Sequence, residues 1–219
     1  MSTTIPPQAF IFDMDGLLLD SERLAFAIGR ETCLALDLPW SEEAALGMIG
    51  LNAASCAAWL RQCFGNDYPV EAQRAEFGRR YEAHVTEHGV PLKPGVLELL
   101  DRLDALAIPR AVATSTASNR ARLKLDRTGL AHRFDHIVGG DQVERGKPAP
   151  DIFLAAAKAL AIAPEACLAL EDSNAGGRAA LAAGMSLRVI PDLLAPAPEL
   201  AAAGAKICTS LFDVLAELE

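Results

Sequence analysis

Two acidic residues at the end of a short apolar stretch have types and a spacing suited to chemistry. Residues 10–12 are all large and apolar, which predicts a buried strand, and Asp13, Asp15 and Gly16 follow at once. Alternate side chains of an extended chain point the same way, so Asp13 and Asp15 are expected side by side at the edge where open α/β sheets bind ligands. Like charges this close favour a bound cation or two different protonation states. The alternative is an ordinary turn, in which Asp and Gly are common.

Three later segments also place polar groups where a predicted strand ends. Thr114 and Ser115 could hold the oxygens of an anion, or they could cap the next helix. Lys147 precedes two prolines that fix the backbone, so it is either a rigidly held cation or an exposed loop lysine. Glu171 and Asp172 follow a strand just as the first pair of acids does. A helix cap would explain Asp172, but it explains the adjacent Glu171 less easily.

Taken together, these segments supply acids at two strand ends, a hydroxyl at a third, and a lysine. Carboxylate oxygens suit Mg²⁺, which keeps water or phosphate in the rest of its coordination shell. A lysine and a hydroxyl beside the ion can orient a phosphate group. One carboxylate can then attack phosphorus, while a second protonates the leaving oxygen and later deprotonates water. The sequence therefore predicts a magnesium-dependent site for phosphoryl transfer.

The elements that must position these groups alternate between strand and helix. Residues 22–89 show helical periodicity without a convincing strand, whereas strands and helices alternate after Pro91, and the strand at 9–14 belongs with the later ones. Such alternation predicts an α/β fold, with a Rossmann-like parallel sheet, helices on both faces and an inserted all-helical domain. We expect a core domain over 1–20 and 90–219 and a helical domain over 21–89. The predicted later strands are 110–114, 136–139, 167–171 and 186–190, and the helices between them are 119–129, 150–161 and 175–183.

Composition and charge argue against several classes of partner. A net charge of −9 argues against nucleic acid or an anionic membrane surface, so an anionic substrate needs a local cationic site. The five cysteines form no C-x-x-C pair, which indicates reduced thiols. The sequence has neither the basic and apolar regions of a signal peptide nor a membrane-spanning stretch. We therefore expect a cytoplasmic protein, and a monomer is plausible because one chain supplies every candidate site residue.

Four segments, in chain order, resemble the motifs of the haloacid dehalogenase superfamily of phosphohydrolases. The resemblance is to the branch close to β-phosphoglucomutase and the sugar-phosphate phosphatases. Each motif alone is weak, but their joint occurrence over most of the chain is highly specific. The four segments are Asp13-Met-Asp-Gly-Leu-Leu-Leu-Asp-Ser21, Thr114-Ser115, Lys147-Pro-Ala-Pro-Asp-Ile-Phe153 and Leu170-Glu-Asp-Ser-Asn-Ala-Gly176.

This resemblance implies roles for the residues that would handle the phosphoryl group. Asp13 would be the nucleophile that forms an aspartyl-phosphate, and Asp15 would be the general acid and base. Thr114, Ser115 and Lys147 would bind the transferring phosphoryl group. The expected enzyme is then a phosphoric monoester hydrolase acting on a small phosphorylated metabolite, such as a sugar phosphate.

The resemblance also implies a metal site and a cap. Mg²⁺ would be held by Asp13, by the backbone carbonyl of Asp15, and by Asp172 with support from Glu171. The helical domain would be the cap that closes over the site and selects the substrate. Residues 16–21 would be the flap that joins the cap to the core.

Departures from the family pattern bear on the reaction. The dehalogenases lack the second acid of the first motif, so Asp15 favours phosphoryl transfer over dehalogenation. The mutases carry a cap arginine and a cap histidine, and Ala53 and Ala25 align roughly with them. Both differences favour a phosphatase, with a phosphomutase as the alternative. A non-catalytic binding module would be expected to lack one of the key residues, and all of them are present.

Basic residues are the candidates for substrate recognition in the helical domain. They could meet an anionic substrate, but a helix surface also carries such charges for solubility, which is the favoured interpretation for each one. The candidates are Arg61, Arg74, Arg79 and Arg80, together with Lys93, which follows the predicted end of the helical domain.

Overall fold

This computed structural model describes residues 7–49 and 53–219, with the side chains of residues 53 and 54 outside the description. The chain divides into two compact units. One unit comprises Met1–Asp20 and Pro91–Glu219 and is called the core unit below; the other comprises Ser21–Val90 and is called the helical unit.

A parallel sheet forms the centre of the core unit and confirms the predicted α/β class. Over the described residues it has six strands in the order β3-β2-β1-β4-β5-β6. The chain builds outward from β1 on one side and then crosses to β4 on the other, so the order reverses at β1. Open α/β sheets bind ligands at such a reversal, beyond the carboxyl ends of the strands. The strands are β1 (Ala9–Phe12), β2 (Arg110–Ala113), β3 (His136–Val138), β4 (Cys167–Glu171), β5 (Ser186–Val189) and β6 (Lys206–Ile207).

The central strand β1 is shorter than predicted and ends at Phe12. The prediction extended it to residue 14, because apolar and acidic residues alternate there as they would in a strand. The chain instead turns at once: the N–H groups of Leu18 and Leu19 both donate to the carbonyl of Met14, each at 3.0 Å. Gly16 has a φ of +87°, a value that favours glycine.

The helical unit contains α1 (Ser21–Ala35), α2 (Glu42–Leu46), α3 (Ala53–Phe64) and α4 (Val70–His88). The Ser41 hydroxyl accepts a hydrogen bond from the N–H of Ala44 at 3.2 Å and so caps α2. Helical periodicity predicts helices over 53–64 and 70–88, and α3 and α4 have these bounds. The unit also has a cavity of about 470 Å³ that is open to solvent on one side, and apolar side chains form most of its wall.

The core unit adds α5 (Val96–Ala105), α6 (Ser118–Arg127), α7 (Asp151–Ala159), α8 (Asn174–Ala182), α9 (Pro198–Ala202) and α10 (Leu211–Ala216). After Pro94 and Gly95 the apolar residues recur at helical spacing, which predicts an amphipathic helix. Helix α5 buries four of them, Val96, Leu99, Leu100 and Leu103. Within the described ranges, none of the helices combines the length and the apolar composition needed to cross a bilayer.

Burial of β1 from both sides explains its uniformly apolar sequence. Phe10, Ile11 and Phe12 are all fully buried, as expected for a central strand of a parallel sheet covered on both faces. Phe12 pairs in register with Val112 of β2 and Leu170 of β4. The residue after Phe12 is therefore held beside the ends of both neighbouring strands.

Replacing Phe10 with alanine should test the central position of β1. We expect the free energy of unfolding to fall by about 3–5 kcal/mol, because the change leaves a cavity in a packed core. Urea denaturation followed by circular dichroism measures this. Phe212 is 44% exposed, so Phe212→Ala is the matched control, with an expected loss below about 1 kcal/mol. Equal stability of the two variants would contradict the assignment.

Candidate active site

Three carboxyl groups meet at the carboxyl ends of β1 and β4. Asp13, Glu171 and Asp172 each offer an oxygen within 4.8 Å of the others, and they form a potential metal-binding group among the described residues. The N–H of Asp13 donates to the carbonyl of Leu170 at 2.9 Å, which extends the pairing of the two strands. The strand register thus places acids that are far apart in sequence next to one another.

Lys147 joins two of these acids through its ammonium group. Its Nζ lies 2.5 Å from Oδ1 of Asp13, 2.6 Å from Oε1 of Glu171 and 3.1 Å from the carbonyl of Ala113. The side chain is only 6% exposed, and its Nζ lies 5.0 Å from the centre of the Phe153 ring. Burial alone would lower the pKa of Lys147, but the carboxylates of Asp13 and Glu171 raise it overall, so the group stays charged. An exposed loop lysine is therefore excluded.

Glu171 uses both carboxylate oxygens to hold this arrangement. Oε1 accepts from Lys147, and Oε2 accepts from the N–H and the hydroxyl of Ser173, each at 2.9 Å. The side chain is fully buried. A Cβ at Gly176 would lie 1.6 Å from Oε1 of Glu171, so this position must be glycine. Glu171 thus links Lys147 to Ser173 at the start of α8, and its support of a metal ion stays a prediction.

Asp172 is not a helix cap, because Ser173 caps α8 by accepting from the N–H of Gly176 at 3.1 Å. The Asp172 carboxyl group instead faces the turn after β1, where a Cβ at Gly16 would lie 2.2 Å from Oδ2 of Asp172. Burial raises the pKa of Asp172 to about 10, and the charges of Asp13 and Glu171 act in the same direction.

The cluster carries more acid than its lysine can balance. Burial raises the pKa of Asp13 to about 7, although Lys147 acts in the opposite direction. Two buried carboxyl groups and a half-buried one, beside a single ammonium group, thus repel one another when ionised. A divalent cation coordinated by oxygen would remove this repulsion, so the donor set fits such an ion.

The Asp15 carboxylate lies apart from this cluster, with different contacts. Its Oδ1 accepts from Nζ of Lys124 at 2.7 Å, and its Oδ2 accepts from the hydroxyl of Thr116 at 2.7 Å. Alternation predicted that the two carboxylates lie side by side, but in the structure they have separate partners, Lys147 for Asp13 and Lys124 with Thr116 for Asp15. The physical reason is that β1 ends at Phe12, so alternation no longer applies. Ligation by the backbone carbonyl of Asp15 stays a prediction.

The structure after β2 decides whether Thr114 and Ser115 cap the next helix. Helix α6 begins after Ala117, so Thr114 and Ser115 do not cap it. Thr114 is buried, and its Oγ1 accepts from the N–H of Thr116 at 3.1 Å, whereas the Ser115 side chain is exposed. A hydroxyl that accepts one hydrogen bond keeps its own proton to donate. Because Thr114 is buried and already hydrogen-bonded, its hydroxyl is held in a more definite position than that of the exposed Ser115.

Sequence reasoning missed the two partners of Asp15, namely Lys124 and Thr116. A signal for Lys124 was present, because it lies three residues after Ala121 and one before Leu125, the buried residues of α6. A lysine beside the buried face of a helix at a sheet edge is a candidate for a directed contact. Thr116 had a weaker signal, as a third hydroxyl residue in the Thr114–Thr116 stretch.

Comparison with known proteins decides the family. A model of the haloacid dehalogenase-like hydrolases matches residues 10–190, which include every candidate site residue. The chain belongs to this family. The predicted resemblance is therefore confirmed, and the chain is an enzyme of the hydrolase class.

Relatives within this hydrolase family align over most of their length. The protein CbbY of Rhodobacter capsulatus is 34% identical over 194 residues, which cover 84% of this chain and 85% of CbbY. A phosphorylated carbohydrates phosphatase of Thermotoga maritima is 33% identical over 181 residues, covering 81% and 82%. The crystal structure of a CbbY mutant from Rhodobacter sphaeroides with xylulose 1,5-bisphosphate has a TM-score of 0.78 at 31% identity, covering 97% and 99%.

Ala53 and Ala25 are the positions that align roughly with the cap arginine and histidine of the mutases. Residues 50–52 and the side chain of Ala53 lie outside the described residues. Ala25, which aligns roughly with the mutase histidine, lines the cavity of the helical unit.

Metal-free protein should lose stability as the pH rises. The Asp172 carboxyl ionises near 3.8 in the unfolded chain but has a pKa of about 10 when folded. The folded state holds the Asp172 proton more tightly than the unfolded chain, so the free energy of unfolding falls progressively as the pH rises from 3.8 to about 10. The same effect of Asp13 is spread between pH 3.8 and about pH 7. From pH 5 to pH 8 we expect wild type to lose up to about 4 kcal/mol more than Asp172→Asn. Thermal and urea unfolding in a chelator measure this difference.

Added Mg²⁺ gives the complementary result at pH 8. It should stabilise wild type but leave Asp172→Asn almost unchanged, because the variant lacks one of the three carboxyl groups of the potential metal-binding group. The exposed Asp67 provides the control, and Asp67→Asn should behave as wild type in both experiments. Coincident metal-free profiles for wild type and Asp172→Asn would refute this account of the cluster.

Proposed function

We propose that this protein is a Mg²⁺-dependent phosphatase that hydrolyses a small phosphorylated metabolite of the sugar-phosphate class through an aspartyl-phosphate. The contact between Lys147 and Asp13 at 2.5 Å carries the proposal. It places a buried cation on one oxygen of the proposed nucleophile, where an incoming phosphoryl group brings negative charge. The neighbouring acids supply the oxygens that a metal ion needs.

The residues divide the reaction between them. Asp13 forms a bond to phosphorus while the bond to the leaving oxygen breaks, and Asp15 gives that oxygen a proton. Water then attacks phosphorus and releases Asp13, and Asp15 takes the proton of the water. Lys147 and Thr114 orient the phosphoryl group, and Ser115 supports it from the same loop.

The proposed ligands of the ion are Asp13, Asp172 and the backbone carbonyl of Asp15, with Glu171 holding the arrangement. When bound, Mg²⁺ would neutralise part of the negative charge on the phosphoryl oxygens. The substrate is then a small anionic molecule, and one chain supplies all of these groups, so we expect the monomer to be active.

Relatives support a phosphatase over a mutase. The Thermotoga maritima relative is named for phosphatase activity on phosphorylated carbohydrates, and a Drosophila melanogaster relative, 34% identical over 192 residues, is named a probable pseudouridine-5'-phosphatase. In the sequence, Ala53 and Ala25 align roughly with the arginine and the histidine of the mutase cap. The phosphomutase alternative is therefore not favoured.

The first test is phosphate release from a panel of sugar phosphates, phosphoglycolate and nucleotides. We expect Mg²⁺-dependent release by wild type and Asp67→Asn. Asp13→Asn should lose at least about 10⁴-fold activity, because the amide cannot form the phosphoenzyme. Circular dichroism checks that the variant is folded. Substantial release by folded Asp13→Asn would contradict the nucleophile, and isomerisation of a hexose 1-phosphate only when a bisphosphate is present would indicate a mutase.

We further propose that the helical unit acts as a cap and contributes to substrate selection. Several of its cations already bind carboxylates: Arg61 contacts Glu71 at 2.9 Å, and Arg79 and Arg80 both contact Glu76. Arg74 instead lines the 470 Å³ cavity, whose wall is otherwise largely apolar. A pocket of this size and character is typical of small-molecule sites.

Arg74→Met should therefore change substrate preference. We expect kcat/KM for the best sugar phosphate to fall about tenfold, while 4-nitrophenyl phosphate stays within about threefold of wild type. Arg61→Met, which removes a paired arginine of the same unit, is the matched control. Equal effects of both variants on both substrates would argue against a role for the cavity.

A further inference from the structure

The Asp15 carboxylate is held at both of its oxygens by groups from separate elements of the core unit. Lys124 of α6 donates to Oδ1, and Thr116 of the loop after β2 donates to Oδ2, both at 2.7 Å. Two donors on opposite oxygens fix the plane of a carboxyl group, which decides where its remaining lone pairs point.

The position of Lys124 favours a directed role. Its side chain is 12% exposed, although lysines on helices normally extend their ammonium groups into water. Helix α6 buries Ala121 and Leu125 against the core, and this packing brings Lys124 toward the sheet edge. The contact with Asp15 compensates for part of the cost of removing the ammonium group from water.

Thr116 is itself fixed by two backbone contacts. Its N–H donates to Oγ1 of Thr114 at 3.1 Å, and its carbonyl accepts from the N–H of Gly140 at 3.1 Å. The hydroxyl that holds Asp15 is therefore tied to the residue proposed to bind phosphate. A shift of Asp15 relative to the phosphoryl group would have to break these contacts.

We propose that Lys124 and Thr116 are positioning residues that hold Asp15 for the hydrolysis of the phosphoenzyme. This inference rests on the proposed function. Both groups donate to Asp15, so they orient it as a hydrogen-bond acceptor, which is the state that takes a proton. In that step a water oxygen bonds to phosphorus, the bond to Asp13 breaks and returns its electron pair to the carboxylate, and the water proton goes to Asp15.

Pre-steady-state kinetics with 4-nitrophenyl phosphate isolate this step. The nitrophenolate anion is stable, so its departure needs no proton from Asp15, whereas hydrolysis of the phosphoenzyme still needs the base. For Lys124→Met we expect a burst of about one nitrophenolate per enzyme and then a steady rate slower than wild type. The value of kcat should fall roughly ten- to hundredfold, and kcat/KM should stay within about threefold.

Further variants separate positioning from general damage. Lys124→Arg keeps a cationic donor and should restore most of kcat. Thr116→Val leaves Lys124 intact and should also produce a burst with a reduced steady rate. Lys158→Met removes an exposed lysine from α7 and should match wild type.

Two results would overturn the proposal: kcat and kcat/KM falling together without a burst, or an unchanged kcat in both Lys124→Met and Thr116→Val. A wild type inactive on 4-nitrophenyl phosphate and on the whole panel would instead refute the proposed function, and this inference with it. If wild type is folded and active, a negative result with the variants counts against the positioning role and leaves the proposed function intact.

Discussion

The buried ammonium group of Lys147 is the interaction on which the candidate site depends. It neutralises part of the charge of Asp13, which directly follows β1, and of Glu171, the last residue of β4. Without a cation, carboxylates buried this close would protonate or separate. The lysine thus lets two strand ends carry acids at the same edge of the sheet, and the remaining negative charge favours a divalent ion.

Small residues make this arrangement possible. Gly176 and Gly16 lie where any side chain would overlap the carboxyl groups of Glu171 and Asp172. The Ser173 hydroxyl then caps α8 and binds Glu171 with the same oxygen atom. The fourth motif therefore combines a strand end, a helix start and the carboxylate that holds Lys147 within a few residues.

Much of the fold could be predicted because hydrophobic periodicity is strong. Helices α3 and α4 and strand β4 have the expected bounds, and acids after two apolar strands correctly indicated a shared edge. The end of β1 could not be predicted, because Asp13-Met14-Asp15 fits a strand pattern as well as a turn. The signal for Lys124 was only its place beside the buried residues of α6. That signal did not identify its partner, because a lysine that reaches a carboxylate and one that extends into water look alike in sequence. The cavity of the helical unit depends on how helices pack, which periodicity does not determine.

The central place of β1 has a consequence for synthesis of the chain. Its neighbours in the sheet begin at Arg110 and Cys167, far along the sequence. At translation rates of about 5–20 residues per second, roughly ten to thirty seconds separate the appearance of β1 from that of β4. Throughout that interval an entirely apolar strand has an unsatisfied edge, the kind of surface that chaperones bind and that other nascent chains can pair with. The strand that organises the finished sheet is thus also the segment exposed longest while the protein is being made.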